Sequence, residues 1–462
     1  MLPLIWYVLD RNTTQRFQAA FRTNTPTYGD QQIALKLPVS TAICVIMSVV
    51  LAFYVGIAVV GATSAISARP AQARGGDHAT ETGSGSGLIR GTAHLWGRIA
   101  NQKLAGQRVL GSIFFAGPPN PKNLSLYTRH PVDAALNGWT KLDATFALTQ
   151  MTAIGLNTVF FSYWGHTGET DNWSLSLLFS KERWPGEAGS PQYSESQQVA
   201  KAHDLFALAR QQGLLLAPLL EVSPSNPFWR EFPDSTDNLV ERCNWLLAHL
   251  GAETNWLQMY DRTGKPRYVV RLIETIHSRP IDPKQFAAGF SAAADRVLKE
   301  TGYNVGFVID PTPLPPYGAE FGPDPVALRS CPAILAIDPF NIDSQGLGAP
   351  RDQVRITEAD RLEYAMSVLQ KWHDSGIPLI APILPGYDAH IVFPNAGVYG
   401  FNATWRQWQK ALALHYATEG LSIDCWNGWA EGYAIPPSRE DHDIEMLWAT
   451  DVIKSLKAEW AK

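Results

Sequence analysis

The chain has little cysteine: four in 462 residues, at Cys44, Cys243, Cys331 and Cys425. Cys44 lies in an apolar N-terminal run, which leaves an odd three in the body. There is no Cys-x-x-Cys and no paired Cys/His spacing, which argues against a structural zinc site. Buried thiols are expected, with one disulfide as the alternative. Clusters of Lys and Arg are also missing. With a net charge of −5 and a pI near 6.1, the chain lacks the basic face that binding nucleic acid requires, and no nucleic-acid partner is expected. No Gly-x-Gly-x-x-Gly follows the first apolar run of the body and no Gly-x-x-x-x-Gly-Lys-Ser/Thr occurs, so a nucleotide cradle is not supported. No Gly-x-Ser-x-Gly follows a strand-like run, which disfavours a serine-hydrolase elbow. His166, His277, His390 and His442 share no ligand spacing. Neither a metal nor an organic cofactor is expected.

What is present begins with a membrane signal. From Thr41 to Ala62 the sequence carries no formal charge over 22 residues. As a helix this run would cover about 33 Å at 1.5 Å per residue, enough to cross a bilayer core of roughly 30 Å. Arg11, Arg16, Arg22 and Lys36 precede it, which orients the N-terminus to the cytoplasm and the body outside. A cleaved signal peptide is the competing reading, because Ala65–Ala68 and Ala71–Ala73 offer small-residue cleavage sites. Either way the body is expected in the periplasm or outside the cell. The organisation expected is a cytoplasmic segment (1–38), an anchor or signal segment (39–68), a Gly/Ala/Ser/Thr-rich linker (69–104) and one large domain (105–462).

In that domain eight apolar runs alternate with amphipathic stretches. The runs are Val109–Phe115, Thr158–Tyr163, Leu214–Leu220, Tyr268–Ile273, Val305–Ile309, Ile334–Ile337, Leu379–Leu384 and Leu421–Cys425. They are nearly continuous rather than alternating, the pattern of parallel strands covered on both faces. Helical patterns lie between them, such as Ser196–Gln212, Asp282–Thr301, Glu358–Ser375 and Asn402–Gly420. Asp282, Thr357 and Asn402 suit N-caps. Gly155, Gly213, Gly302, Gly376 and Gly420 suit helix ends. Eight strand–helix units predict an α/β fold of the (β/α)8 type, with a doubly wound open sheet as the alternative.

Such barrels build their sites at the C-terminal ends of the strands. Those ends carry Tyr163, Trp164 and His166 after the second run, Glu221 after the third and Glu274 after the fourth. Asp310, Asp338, Tyr387 with Asp388, and Trp426, Asn427, Trp429 and Glu431 follow in order. One strand-end acid is usually a cap or an ion-pair partner, but six of eight units carrying one suggests a carboxylate rim. The chain also has 16 Trp, 15 Tyr and 19 Phe, and aromatic rings stack on sugar faces. Acids and aromatics without a cofactor motif suit glycoside cleavage, which needs an acid at the leaving oxygen and a second carboxylate. The expected partner is a carbohydrate.

The segment Trp426-Asn427-Gly428-Trp429-Ala430-Glu431-Gly432, with Tyr433-Ala434-Ile435-Pro436-Pro437-Ser438 after it, resembles the Trp-Asn-Glu-Trp-x-Glu-Gly…Glu-Pro signature of the endo-α-mannosidases of glycoside hydrolase family 99. Pro385-Gly386-Tyr387-Asp388 is also similar to a segment of those proteins. The resemblance spans the barrel but is specific only over these two segments. It implies a (β/α)8 barrel acting on α-linked glycans without metal or organic cofactor, with Glu431 as acid and base at the glycosidic oxygen. From their places at the strand ends, Tyr163, Trp164, Tyr387, Trp426 and Trp429 are expected to form sugar-stacking walls, with Asn427 bonding a hydroxyl. The signature's first Glu, a base toward the sugar 2-hydroxyl, falls on Gly428, which can accept no proton. Three readings follow. Another rim acid takes that part (Asp338 and Glu221 first, then Asp310 or Asp388), a loop supplies the group, or the chain binds glycan without cleaving it.

Overall fold

The computed structural model describes residues 95–115, 127–133, 141–163, 195–221, 232–273, 282–311, 324–340, 342, 357–391 and 397–462. The apolar run at 41–62 lies outside them. Among the described residues no helix is long and apolar enough to cross a membrane.

Among the described residues eight parallel strands alternate with eight helices. The strands are β1 (Val109–Phe114), β2 (Thr158–Tyr163), β3 (Leu215–Glu221), β4 (Pro266–Ile273), β5 (Val305–Ile309), β6 (Ile334–Ile337), β7 (Ile380–Ile383) and β8 (Gly420–Ile423). The helices that follow each in turn are α1 (Lys141–Ile154), α2 (Glu195–Gln211), α3 (Asp237–Leu250), α4 (Pro283–Thr301), α5 (Pro325–Ser330), α6 (Glu358–Asp374), α7 (Ala403–Tyr416) and α8 (Ile444–Trp460). Neighbouring strands pair in parallel from β6 back to β1, and on through β8 to β7. The ring closes through a parallel bridge between Ile337 and Leu379, with Ile337 N–H donating to Pro378 O at 2.8 Å. This is the (β/α)8 barrel that the apolar runs predict.

The helices form where caps and an apolar stripe coincide. In α4 the Asp282 carboxylate accepts from Gln285 N–H at 2.8 Å and Pro283 occupies the first turn, where it removes no needed donor. Gly302, at φ +78°, ends the helix in the left-handed conformation that favours glycine. Phe286, Phe290, Ala293 and Val297 form the buried stripe, and Phe290 packs 5.2 Å from Phe307 of β5. Thr357 and Asp360 form a reciprocal capping box on α6.

Two expectations are corrected. Gly420 does not end α7; it opens β8, where a β-carbon would lie 2.6 Å from Val109 O. Residues 95–104, assigned to the linker, belong to the fold at the N-terminal mouth of the barrel. Ile99 is fully buried and bridges Met259 in a short strand (Gln258–Tyr260) antiparallel to β4, and the Trp96 indole N–H donates to Ile334 O at 3.2 Å. Cys243, Cys331 and Cys425 are buried free thiols.

Candidate active site

A charged layer lies within the barrel. Arg271 of β4 approaches Asp338, just past β6, at 2.9 Å and Asp424, just past β8, at 3.7 Å, while its guanidinium lies 4.7 Å from the ring of Phe160 in β2. One residue from each even-numbered unit makes the layer, the stacking rule of these barrels. The Arg271–Asp338 contact is close but poorly aligned, and neither group makes a hydrogen bond through those atoms. Burial, opposed by Arg271 and reinforced by nearby Asp310, pushes the Asp338 carboxyl up to about 7. Asp338 has no exposed surface and Asp310 almost none. Asp338, expected as a candidate catalytic acid, is thus placed in the barrel's internal ion cluster, with no exposed surface.

Beyond this layer the chain after β8 turns sharply. Cys425 adopts φ +135°, a region side chains rarely enter. Trp426 N–H then donates to Ile113 O of β1 at 2.7 Å. Asn427 accepts from Phe115 N–H at 3.0 Å and donates to Phe115 O at 2.9 Å, mimicking a strand partner. Both ends of its amide are thus engaged by Phe115, just past β1, as a structural clamp. Ile435 N–H returns to Trp426 O at 3.0 Å and closes residues 426–435 into a compact loop.

Glu431 projects from that loop and is half-buried. Tyr387, in the loop after β7, donates its hydroxyl to Oε1 at 3.3 Å. Tyr433 donates to Oε2 in a short bond. The rings of Tyr399, Tyr387 and Tyr433 stack in series, with centroids 5.7 and 5.8 Å apart. Asp388 N–H donates to Glu431 O at 2.9 Å and ties the two loops together, and the Asp388 carboxylate holds the exposed imidazole of His390. The arrangement presents one partly accessible carboxylate, gripped by two phenols, at the C-terminal end of the barrel. That is a group able to take or give one proton at a bound ligand.

The aromatic walls are differently placed from the expectation. Trp426 is fully buried and Trp429 is 2% exposed, packed in a small cluster with Tyr127 and Ala434. Tyr387 is also buried and reaches Glu431 only through its hydroxyl. Tyr163 stacks flat on Trp245 of α3 at 5.8 Å, and burial holds its phenol above its ordinary range. These rings make the walls of the protein rather than an open sugar platform. Glu221 ends β3 at the same mouth. Its side chain, and Trp164, His166 and Glu274, lie outside the described residues. Tyr433 was missed as a site residue. Its position two residues after Glu431 in the loop was the one signal available. Among the described residues no group of three or more His, Cys, Asp or Glu is disposed to hold a metal ion.

No protein-family model matches the chain, and no curated protein does. Solved structures do resemble it. A family 99 endo-α-mannosidase from Bacteroides thetaiotaomicron, solved with bis-tris propane, shares 14% identity over 76% of this chain and 98% of its own, with a TM-score of 0.50. A family 5 mannosidase from Rhizomucor miehei shares 10% identity over 76% of this chain and 94% of its own, with a TM-score of 0.45. At such identity the likeness is one of fold, a (β/α)8 barrel.

Proposed function

We propose that this chain is a glycoside hydrolase acting on an oligosaccharide or polysaccharide outside the cytoplasm, with Glu431 as its general acid/base. The observation that carries the reading is the half-buried Glu431 carboxylate at the end of β8, held through both oxygens by Tyr387 and Tyr433. Barrels of this type build their reactions at this end. The likeness in fold to an endo-α-mannosidase and the loop signature support an α-linked glycan as substrate. The apolar run at 41–62 supports a body tethered to the membrane on its outer side. The second acid or base is then Glu221, Glu274 or the Asp388–His390 pair.

The test is the purified protein incubated with a panel of α- and β-linked glycans, with products read by mass. Wild type should release defined products, and Glu431→Gln should lower the rate by about 10²–10⁴-fold, the usual share of a general acid or base, while still binding glycan. Full activity in Glu431→Gln would overturn the assignment. A second reading, glycan binding without cleavage, is favoured by the missing carboxylate at Gly428 and the sealing of Asp338. Tight binding by wild type with no product from any glycan would select it.

A further inference from the structure

Gly428 and Tyr433 occupy one space. A β-carbon built on Gly428 would lie 2.2 Å from Cε2 and 2.4 Å from Cδ2 of the Tyr433 ring, distances no real contact reaches. The ring lies where any side chain at position 428 would start. The same ring carries the hydroxyl that bonds Oε2 of Glu431. Gly428 and Tyr433, five residues later, are therefore one structural unit.

We propose that Tyr433 is the positioning residue for Glu431, seated on Gly428 so that its hydroxyl fixes both the aim and the ionisation state of that carboxylate. The proposal rests on the reading of Glu431 as the reactive group. Burial first, and then the negative charge of Glu431, pushes the Tyr433 phenol well above its ordinary value, so it keeps the proton it donates to the carboxylate. A carboxylate that accepts two O–H donors is favoured in its ionised form. Several described groups face Glu431. Tyr387 comes from the loop after β7, Tyr433 and the buried Cys425 thiol from its own loop, and the Asp388 main chain meets its carbonyl. Each phenol brings an O–H to the carboxylate and so favours its charge.

Tyr433→Phe keeps the ring on Gly428 and removes only the hydroxyl. Gly428→Ala keeps the hydroxyl and displaces the ring. Tyr387→Phe removes the longer of the two bonds and serves as the comparison. In the purified full-length protein, the carboxyl carbon of Glu431 is followed by ¹³C NMR through a pH titration, its signal identified by its loss in Glu431→Gln. Tyr433→Phe and Gly428→Ala should both move the titration of Glu431 to higher pH, and further than Tyr387→Phe does. An unchanged titration in both overturns the proposal. In the same variants, hydrolysis should show its acidic limb at higher pH, with kcat lowered about ten- to hundredfold and KM nearly kept, the cost of a misplaced catalytic group. A shifted titration with no glycan cleaved by wild type would support the positioning assignment and overturn the functional reading, so the two failures are distinguishable.

Discussion

The main-chain N–H of Asp388 donates to the main-chain carbonyl of Glu431 at 2.9 Å, joining the loop after β7 to the loop after β8. Gly432 makes that approach possible. It holds φ +75°, and a β-carbon there would lie 3.0 Å from both Cβ and O of Asp388. Gly432→Ala should lower stability by about 1–2 kcal/mol through the left-handed backbone, read by urea unfolding. It should also lower glycan turnover, because Glu431 moves with its carbonyl. Unaltered turnover would mean that the two loops are not coupled.

The Asn427 clamp should be worth more than one ordinary hydrogen bond. Asn427→Ala removes both bonds to Phe115 and leaves a main-chain donor and acceptor without partners. The expected loss is about 1–3 kcal/mol, measured as a lower urea midpoint with unchanged slope. If the clamp is its whole role, glycan binding per folded molecule should change little; a large loss of binding would give Asn427 a sugar contact as well.

Asp338 should make stability fall as pH rises. Its folded carboxyl is pushed up to about 7 from an ordinary 3.8, so between those values the folded state holds more protons than the unfolded chain. Linkage then makes unfolding easier with increasing pH through that window. The contribution is flat below about 4 and above about 7. Asp338→Asn should flatten the slope between pH 4 and 7, followed by thermal or urea unfolding across the range. An identical slope in the variant would remove Asp338 from the account.

Arg271→Met should be severe at high pH. Removing one partner from a buried charge cluster typically costs about 3–5 kcal/mol, since the other charge stays buried without compensation. Here the loss should be smaller at pH 5.5 than at pH 8, because Asp338 is protonated at the lower value. Paired urea titrations of variant and wild type at the two pH values test this. Equal losses would show that Arg271 acts through packing on Phe160 alone.

Much of the barrel was legible in the chain. A strand buried on both faces must be apolar at nearly every position, so eight continuous runs announced eight strands, three of which (Thr158–Tyr163, Val305–Ile309 and Ile334–Ile337) match residue for residue. Asp282, Thr357 and Asn402 cap α4, α6 and α7 because capping is a contact within three residues. Glu431 was legible as the polar exception in an aromatic loop. Gly420 misled because a glycine before a strand looks the same whether it ends a helix or lets two strands approach.

The sequence by itself determined the order of strands and helices, the caps, and the loop that carries Glu431, because all of these follow from periodicity and near-neighbour chemistry. Only the tertiary structure decided which polar residues are open and which are sealed. Asn427 and Phe115 stand 312 positions apart, and Arg271, Asp338 and Asp424 meet only when β4, β6 and β8 close around a common axis. The same closure and the return of the loop after β8 set the Tyr433 ring on Gly428 and its hydroxyl on Glu431. Local pattern cannot express such contacts, because their free energy comes from burying groups that the linear chain keeps apart.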